Sequence, residues 1–183
     1  MKAIAVPCQS AAVACALLFS CIASPAHAAD PTFSVEGGWS FMGEHFTVDQ
    51  SAAAAFGEAL FDEHGIGSTH ITWAADVTAG WISGRGDPPR VYYRYSTRDD
   101  IGMVAAGLRF HFGAADAWYR PFFASVQPTL HTGRTPALSG CYEFTITFGW
   151  QFSRWMIGVR HSSNADTHLP NLGESMLVGG ITF

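Results

Sequence analysis

Residues 160–175 read Arg-His-Ser-Ser-Asn-Ala-Asp-Thr-His-Leu-Pro-Asn-Leu-Gly-Glu-Ser. The run contains a base (His161), a nucleophile (Ser163), a carboxylate (Glu174) and the side-chain amides of Asn164 and Asn171. A serine hydroxyl is a weak nucleophile at neutral pH and needs an adjacent base. Histidine takes and returns that proton in the physiological range. A carboxylate on the far ring nitrogen fixes the tautomer and stabilises the charged ring. Amide N–H groups can hold the oxyanion formed when serine attacks an acyl carbonyl. The chemistry that such a set supports is acyl transfer or ester hydrolysis. On spacing alone His-x-Ser is common, and a polar rim where a strand leaves a membrane would use the same residue types. The choice between these readings depends on the elements that carry the residues.

The flanking segments alternate with period two. Phe144, Ile146, Phe148, Trp150 and Phe152 alternate with Glu143, Thr145, Thr147, Gly149 and Gln151. Trp155, Ile157 and Val159 alternate with Arg154, Met156, Gly158 and Arg160, and Trp73, Ala75, Val77, Ala79 and Trp81 with Thr72, Ala74, Asp76, Thr78 and Gly80. Soluble sandwiches also alternate. Here the polar face is rich in Gly and Thr, and aromatic residues cap the strand ends. That pattern predicts an all-β fold, an eight-stranded antiparallel transmembrane β-barrel with a polar interior. Strands are expected over 32–42, 44–50, 70–82, 101–112, 119–130, 142–152, 154–164 and 174–183. The stretch 51–69, with Ala52 to Ala55 and Phe56 to Phe61, reads as a short helix or an irregular turn. The competing architecture is a soluble eight-stranded barrel with an apolar interior. The final aromatic, Phe183, favours the membrane.

The chain has 183 residues and a formal net charge of −5. Nothing in that balance points to nucleic acid. Residues 1–28 have the layout of a cleaved secretory signal peptide: Lys2, an apolar run from Ala11 to Ala23, then Ser24-Pro25-Ala26-His27-Ala28. The apolar run is too short for a membrane-spanning helix. Residues 29–183 then form the outer-membrane β-barrel domain. Three of the four cysteines, Cys8, Cys15 and Cys21, lie in the leader. Cys141, beside Gly140, reads as a small residue at a loop edge.

With both termini in the periplasm, segments near 43, 83–100, 131–141 and 165–173 lie outside the cell. The tight turn at Ser153 falls on the periplasmic side, where short turns belong. His161 to Asn164 then sit near the outer end of the segment 154–164. Side chains at i and i+2 share a strand face. His161 and Ser163 therefore point with Trp155, Ile157 and Val159 toward lipid, while Arg160 and Ser162 point inward. Polar groups on a lipid-facing surface are functional candidates, and the lipid itself is the expected substrate.

The run His161-Ser162-Ser163-Asn164-Ala165, followed by Pro170-Asn171-x-Gly173, Glu174-Ser175 and a short terminal strand, resembles the outer-membrane lipid A 3-O-deacylase family (PagL-like). These are eight-stranded barrels whose active site faces the outer leaflet. Arg120-Pro121-Phe122-Phe123 and the strand pair 142–160 match the family's layout more loosely. The resemblance implies a Gram-negative outer-membrane hydrolase that removes the ester-linked 3-hydroxyacyl chain from the 3 position of lipid A in lipopolysaccharide. It implies His161 as base, Ser163 as nucleophile, Glu174 as orienting carboxylate, Asn164 as an oxyanion contributor and Asn171 as a supporting residue. No cofactor is implied. A homodimer is left open. The alternatives are a non-catalytic structural or adhesion barrel, and another lipid-modifying barrel such as an acyltransferase.

One departure matters. In the family pattern one more residue separates the glycine from the glutamate, whereas Glu174 follows Gly173 directly. A one-residue slip turns a strand side chain to the other face. Glu174 shares the parity of Met176 and Val178, while Leu177, Ile181 and Phe183 read as lipid-facing. Asp166 and Ser175 therefore stand as alternative partners for His161. Arg85, Arg90, Arg94 and Arg98 lie in or beside the second outer loop and are candidates for contact with lipopolysaccharide phosphates. His161, Asp166 and His168 match no common metal spacing, and no metal site is predicted.

Overall fold

The computed structural model describes residues 30–43, 51–86 and 95–183. The leader, residues 1–28, and the strand expected over 44–50 lie outside the described residues. The elements are β1 (Thr32–Met42), β2 (Ser51–Leu60), β3 (His64–Gly65), β4 (Ile71–Ile82), β5 (Ile101–Phe112), β6 (Phe122–His131), β7 (Tyr142–Gln151), β8 (Trp155–Ser163) and β9 (Glu174–Thr182). All pairings are antiparallel. The order runs β2-β1-β9-β8-β7-β6-β5-β4, and β4 pairs back to β2 to close the barrel. β3 extends the edge of β2 along β4, with His64 opposite Trp73. The three residues between β2 and β3 oppose only Ala74 and Ala75, so the two form one stave interrupted by a bulge. The staves therefore number eight, and closure leaves no edge.

The expectation for 51–69 is corrected: Ser51–Leu60 is a full barrel strand, not a helix or turn. Its inward face is Ala52, Ala54, Phe56 and Glu58, all buried. Its outward face is Ala53, Ala55, Gly57 and Ala59, so the two faces barely differ in polarity. Alanine and glycine are poor strand formers. Pairing to β1 on one side and β4 on the other satisfies the backbone and overrides that preference. The other strands expected among the described residues hold within a few residues; the fifth starts at Phe122 after a turn rather than at 119.

The barrel has its polarity reversed relative to a soluble protein. Arg109 and Arg160 are each 1% exposed, whereas Val35 and Trp39 are each 62% exposed. Inside, Arg109 pairs with Glu58 at 2.5 Å and Asp76 at 3.4 Å, and Arg160 pairs with Glu36 at 2.9 Å. The guanidinium of Arg109 also stacks over Phe123 and that of Arg160 over Phe56. Buried charges persist only when paired. Outside, Trp39, Leu177, Val159 and Phe148 form one cross-strand row of exposed apolar side chains. Aromatic rings gather at the end of the barrel that carries the chain termini, where Phe152 stacks on Trp155 at 3.7 Å and Trp118 on Trp150 at 6.1 Å. An apolar outer band, an aromatic girdle and a charged interior are features of a transmembrane β-barrel, and in bacteria such a single-chain barrel is an outer-membrane protein.

Candidate functional site

β8 alternates without interruption. Trp155, Ile157, Val159 and His161 are exposed, while Met156, Gly158, Arg160 and Ser162 are buried. The expected parity of His161 and Arg160 is thus observed. Register places Ser175 opposite His161 on one side and Ile146 on the other. Phe41 lies beyond Ser175 on β1. The row around the end of the barrel away from the termini therefore reads Phe41, Ser175, His161, Ile146: two polar groups flanked by apolar ones. Two residues further from the termini, Ser163 lies opposite Phe144. The apolar row of Trp39, Leu177, Val159 and Phe148 lies just below. A lipid chain lying against that row would bring its headgroup linkage to the level of His161 and Ser163.

The loop from β8 to β9 shapes the site. Ala165 and Asp166 have φ of 52° and 60° in succession, which turns the chain sharply after Asn164. Thr167 closes the turn by donating from both its amide and its hydroxyl to the Asn164 carbonyl. The loop is then pinned to the neighbouring outer loop, because the amides of Leu172 and Gly173 donate to the carbonyls of Pro136 and Ala137. An open depression remains, lined by Gly43, His161, Ser163, Asp166, Asn171 and Ser175, among others. Ser163 Oγ accepts from Asn171 Nδ2 at 2.8 Å and from the Ala165 amide at 3.2 Å. Asn171 Nδ2 also donates to Asp166 Oδ1 at 3.2 Å, and Asn171 Oδ1 accepts from the Asn164 amide at 3.3 Å. Asn171 thus connects the serine to the loop.

His161 Nδ1 lies 2.9 Å from Ser175 Oγ. A proton on Nδ1 donated to that hydroxyl leaves the lone pair on Nε2, the nitrogen a general base would use. The ring rests against Gly173, where φ is +71°. A Cβ at that position would fall 2.7 Å from His161 Cε1 and 3.1 Å from Nε2. Glycine suits the left-handed backbone conformation there, and a Cβ would push the ring from the position it occupies. Ser163 and His161 are not hydrogen-bonded to one another among the described contacts. Their Cβ atoms are about 7 Å apart along the strand, and catalytic hydrogen bonds often tighten only around substrate.

Several expected roles do not fit these positions. Glu174 does not reach His161. It is 3% exposed, lies opposite Ser162, and points into the barrel mouth, where Ser40 Oγ donates to it and Arg85 forms an ion pair with it. The missing residue after Gly173 is the physical cause: it puts Glu174 on the inward face and Ser175 on the outward one. Arg85 is likewise consumed by Glu174, its side chain only 7% exposed, and so does not face lipid phosphates. Arg98 is exposed on the same loop, while Arg90 and Arg94 lie outside the described residues. Asn164 is fully buried, and its Nδ2 donates to the His168 carbonyl at 3.0 Å. It braces the loop and does not face the depression. His168 is turned toward Ser139 Oγ at 3.0 Å, and among the described residues no His, Cys, Asp and Glu cluster could hold a metal. The signal for Ser175 was its parity with Leu177; the resemblance drew attention to Glu174 instead.

The arrangement offers an imidazole with one nitrogen engaged, a serine hydroxyl on the same lipid-facing strand, and two N–H donors, Asn171 Nδ2 and the Ala165 amide, on that hydroxyl. No protein-family profile matches the chain, and no curated protein is a significant match. Among solved structures, the backbone structure of the Yersinia pestis outer membrane protein Ail in a phospholipid bilayer nanodisc is similar, at 12% identity and a TM-score of 0.44. The likeness covers 84% of this chain and all of that one.

Proposed function

We propose that the protein is an esterase of the outer leaflet, a lipid A 3-O-deacylase acting on lipopolysaccharide. The observation that carries this reading is the placement of His161 and Ser163 on the lipid-facing side of β8, at its outer end and directly above an apolar row. The resemblance of the segment 161–175 to the deacylases supports it.

In this reading Ser163 Oγ attacks the carbonyl of the acyl ester at the 3 position, and its proton passes to His161 Nε2. Asn171 Nδ2, already 2.8 Å from Ser163 Oγ, turns to the carbonyl oxygen as it gains negative charge. The bond from the acyl carbon to the sugar oxygen breaks, and His161 returns the proton to that oxygen. Water, deprotonated by His161, then attacks the acyl-enzyme. The 3-hydroxy fatty acid leaves and Ser163 regains its proton. Burial of the acyl chain in the bilayer supplies the positioning that a soluble esterase obtains from a pocket.

A second reading, a non-catalytic barrel, is favoured by one observation: Ser163 Oγ accepts from two loop N–H groups and so caps the turn. Mass spectrometry of lipid A from cells with and without the protein separates the two. The deacylase reading expects the loss of one 3-hydroxyacyl chain when the protein is present. An unchanged lipid A profile, with the folded barrel present in the membrane, would leave the non-catalytic reading in place.

A further inference from the structure

We propose that Ser175 is the positioning residue for His161, so that the imidazole is oriented by a neutral hydroxyl and by the bare backbone of Gly173, with no carboxylate on Nδ1. The proposal rests on the esterase reading for its consequence in catalysis and on geometry alone for the orientation itself. The Ser175 hydroxyl is 2.9 Å from Nδ1 and is the cross-strand partner of His161. The carboxylate next to it in sequence is held in the barrel mouth by Ser40 and Arg85. Gly173 sets the opposite boundary of the ring, since a Cβ there would overlap Cε1. The ring therefore sits between a hydrogen-bond partner and a bare backbone whose Cβ would displace it.

The groups facing His161 from every neighbouring element support a neutral surrounding. β7 contributes Ile146, β9 contributes Ser175, β1 and its end contribute Phe41 and Gly43, and the loop contributes Asn171, Leu172 and Gly173. Asp166 is the one charged side chain lining the depression among the described residues, and it accepts from Asn171 Nδ2 at 3.2 Å. A hydroxyl acceptor fixes the tautomer as a carboxylate does. It gives far less stabilisation to the imidazolium that forms during attack. Such a site holds a correctly aimed but weakly supported base, acting on an ester already concentrated by the membrane.

The test uses the full barrel folded in lipid vesicles. 15N spectra of the histidine rings, assigned by loss of the signal in His161→Ala, report the tautomer whether or not the protein is active. The expected result is a single Nδ1–H tautomer in the wild type, a mixture in Ser175→Ala and restoration in Ser175→Thr. An unchanged His161 spectrum in a folded Ser175→Ala barrel would overturn the proposal. The second measurement is kcat/KM for lipid A hydrolysis against pH. Ser175→Ala should lose roughly tenfold. Ser175→Asp should move the acid limb about one unit to higher pH, because a carboxylate at Nδ1 favours the protonated ring. A purely structural role for Ser175 would not move that limb, and an unmoved limb in an active Ser175→Asp enzyme counts against the proposal. Glu174→Gln should leave the limb in place. A wild type that hydrolyses no lipid A but shows the Ser175-dependent tautomer would refute the esterase reading and leave the orientation standing.

Discussion

Ser162 and Ser163 are adjacent in the chain and face different surroundings. Ser162 is fully buried, its Oγ 2.8 Å from Thr145 Oγ1, which in turn lies 2.7 Å from Thr129 Oγ1. That ladder runs across three strands inside the barrel, beside the Arg160–Glu36 and Arg109–Glu58 pairs. Ser163 faces outward at the rim, with a loop amide and an asparagine as its partners. Both serines are polar, but burial gives them different roles. Inside, polar groups engage one another and fix the register of the staves. Outside, they line an open depression at the rim. A polar residue in this barrel is thus read by its parity first and by its chemistry second.

The interior pairs carry the larger expected effect. Arg160→Met leaves Glu36 without its partner in a site closed to water, and removing one member of a buried pair costs about 3–5 kcal/mol. We expect urea unfolding of the barrel in vesicles to shift by that amount, while the fraction that remains folded keeps its deacylation rate. A stable Arg160→Met barrel would show that the interior pairs do not hold the fold. From the outer side, Asn171→Ala removes the donor nearest Ser163. Loss of one oxyanion donor costs about a hundredfold in turnover or more, so kcat should fall to that extent with heat-modifiability on a gel unchanged. A normal rate would take Asn171 out of the chemistry. The smallest effect sharpens the contrast: Ser162→Ala loses one interior hydrogen bond, worth about 1 kcal/mol, and its rate should stay within about twofold of the wild type. A folded Ser162→Ala protein with no activity would move the nucleophile to the inward face.

Much of this was legible in the sequence because a membrane barrel writes its two solvents into alternate residues. In the run from Trp155 to Ser162 the large apolar Ile157 and Val159 alternate with Gly158 and Arg160, and the exposed and buried faces are those that parity predicts. β2 was not legible for the same reason in reverse: Ala52 through Ala55 present alanine to both sides, and only the partners on β1 and β4 reveal a strand. For Glu174, parity and family resemblance disagreed, and the structure followed parity. One residue fewer after Gly173 was enough to exchange a carboxylate for Ser175 beside His161. The fate of Arg85 depended on that exchange and could not be read locally, because its partner Glu174 lies 89 positions away in the chain.

The central proposal is that Ser163 acts as a nucleophile toward an ester in the outer leaflet. Wild-type and Ser163→Ala barrels, each folded into vesicles containing lipopolysaccharide, can be compared by mass spectrometry of the recovered lipid A, with heat-modifiability showing that both are folded. The wild type is expected to remove one 3-hydroxyacyl chain and Ser163→Ala to leave it in place. Equal removal by the two proteins, or none by the wild type, would contradict it.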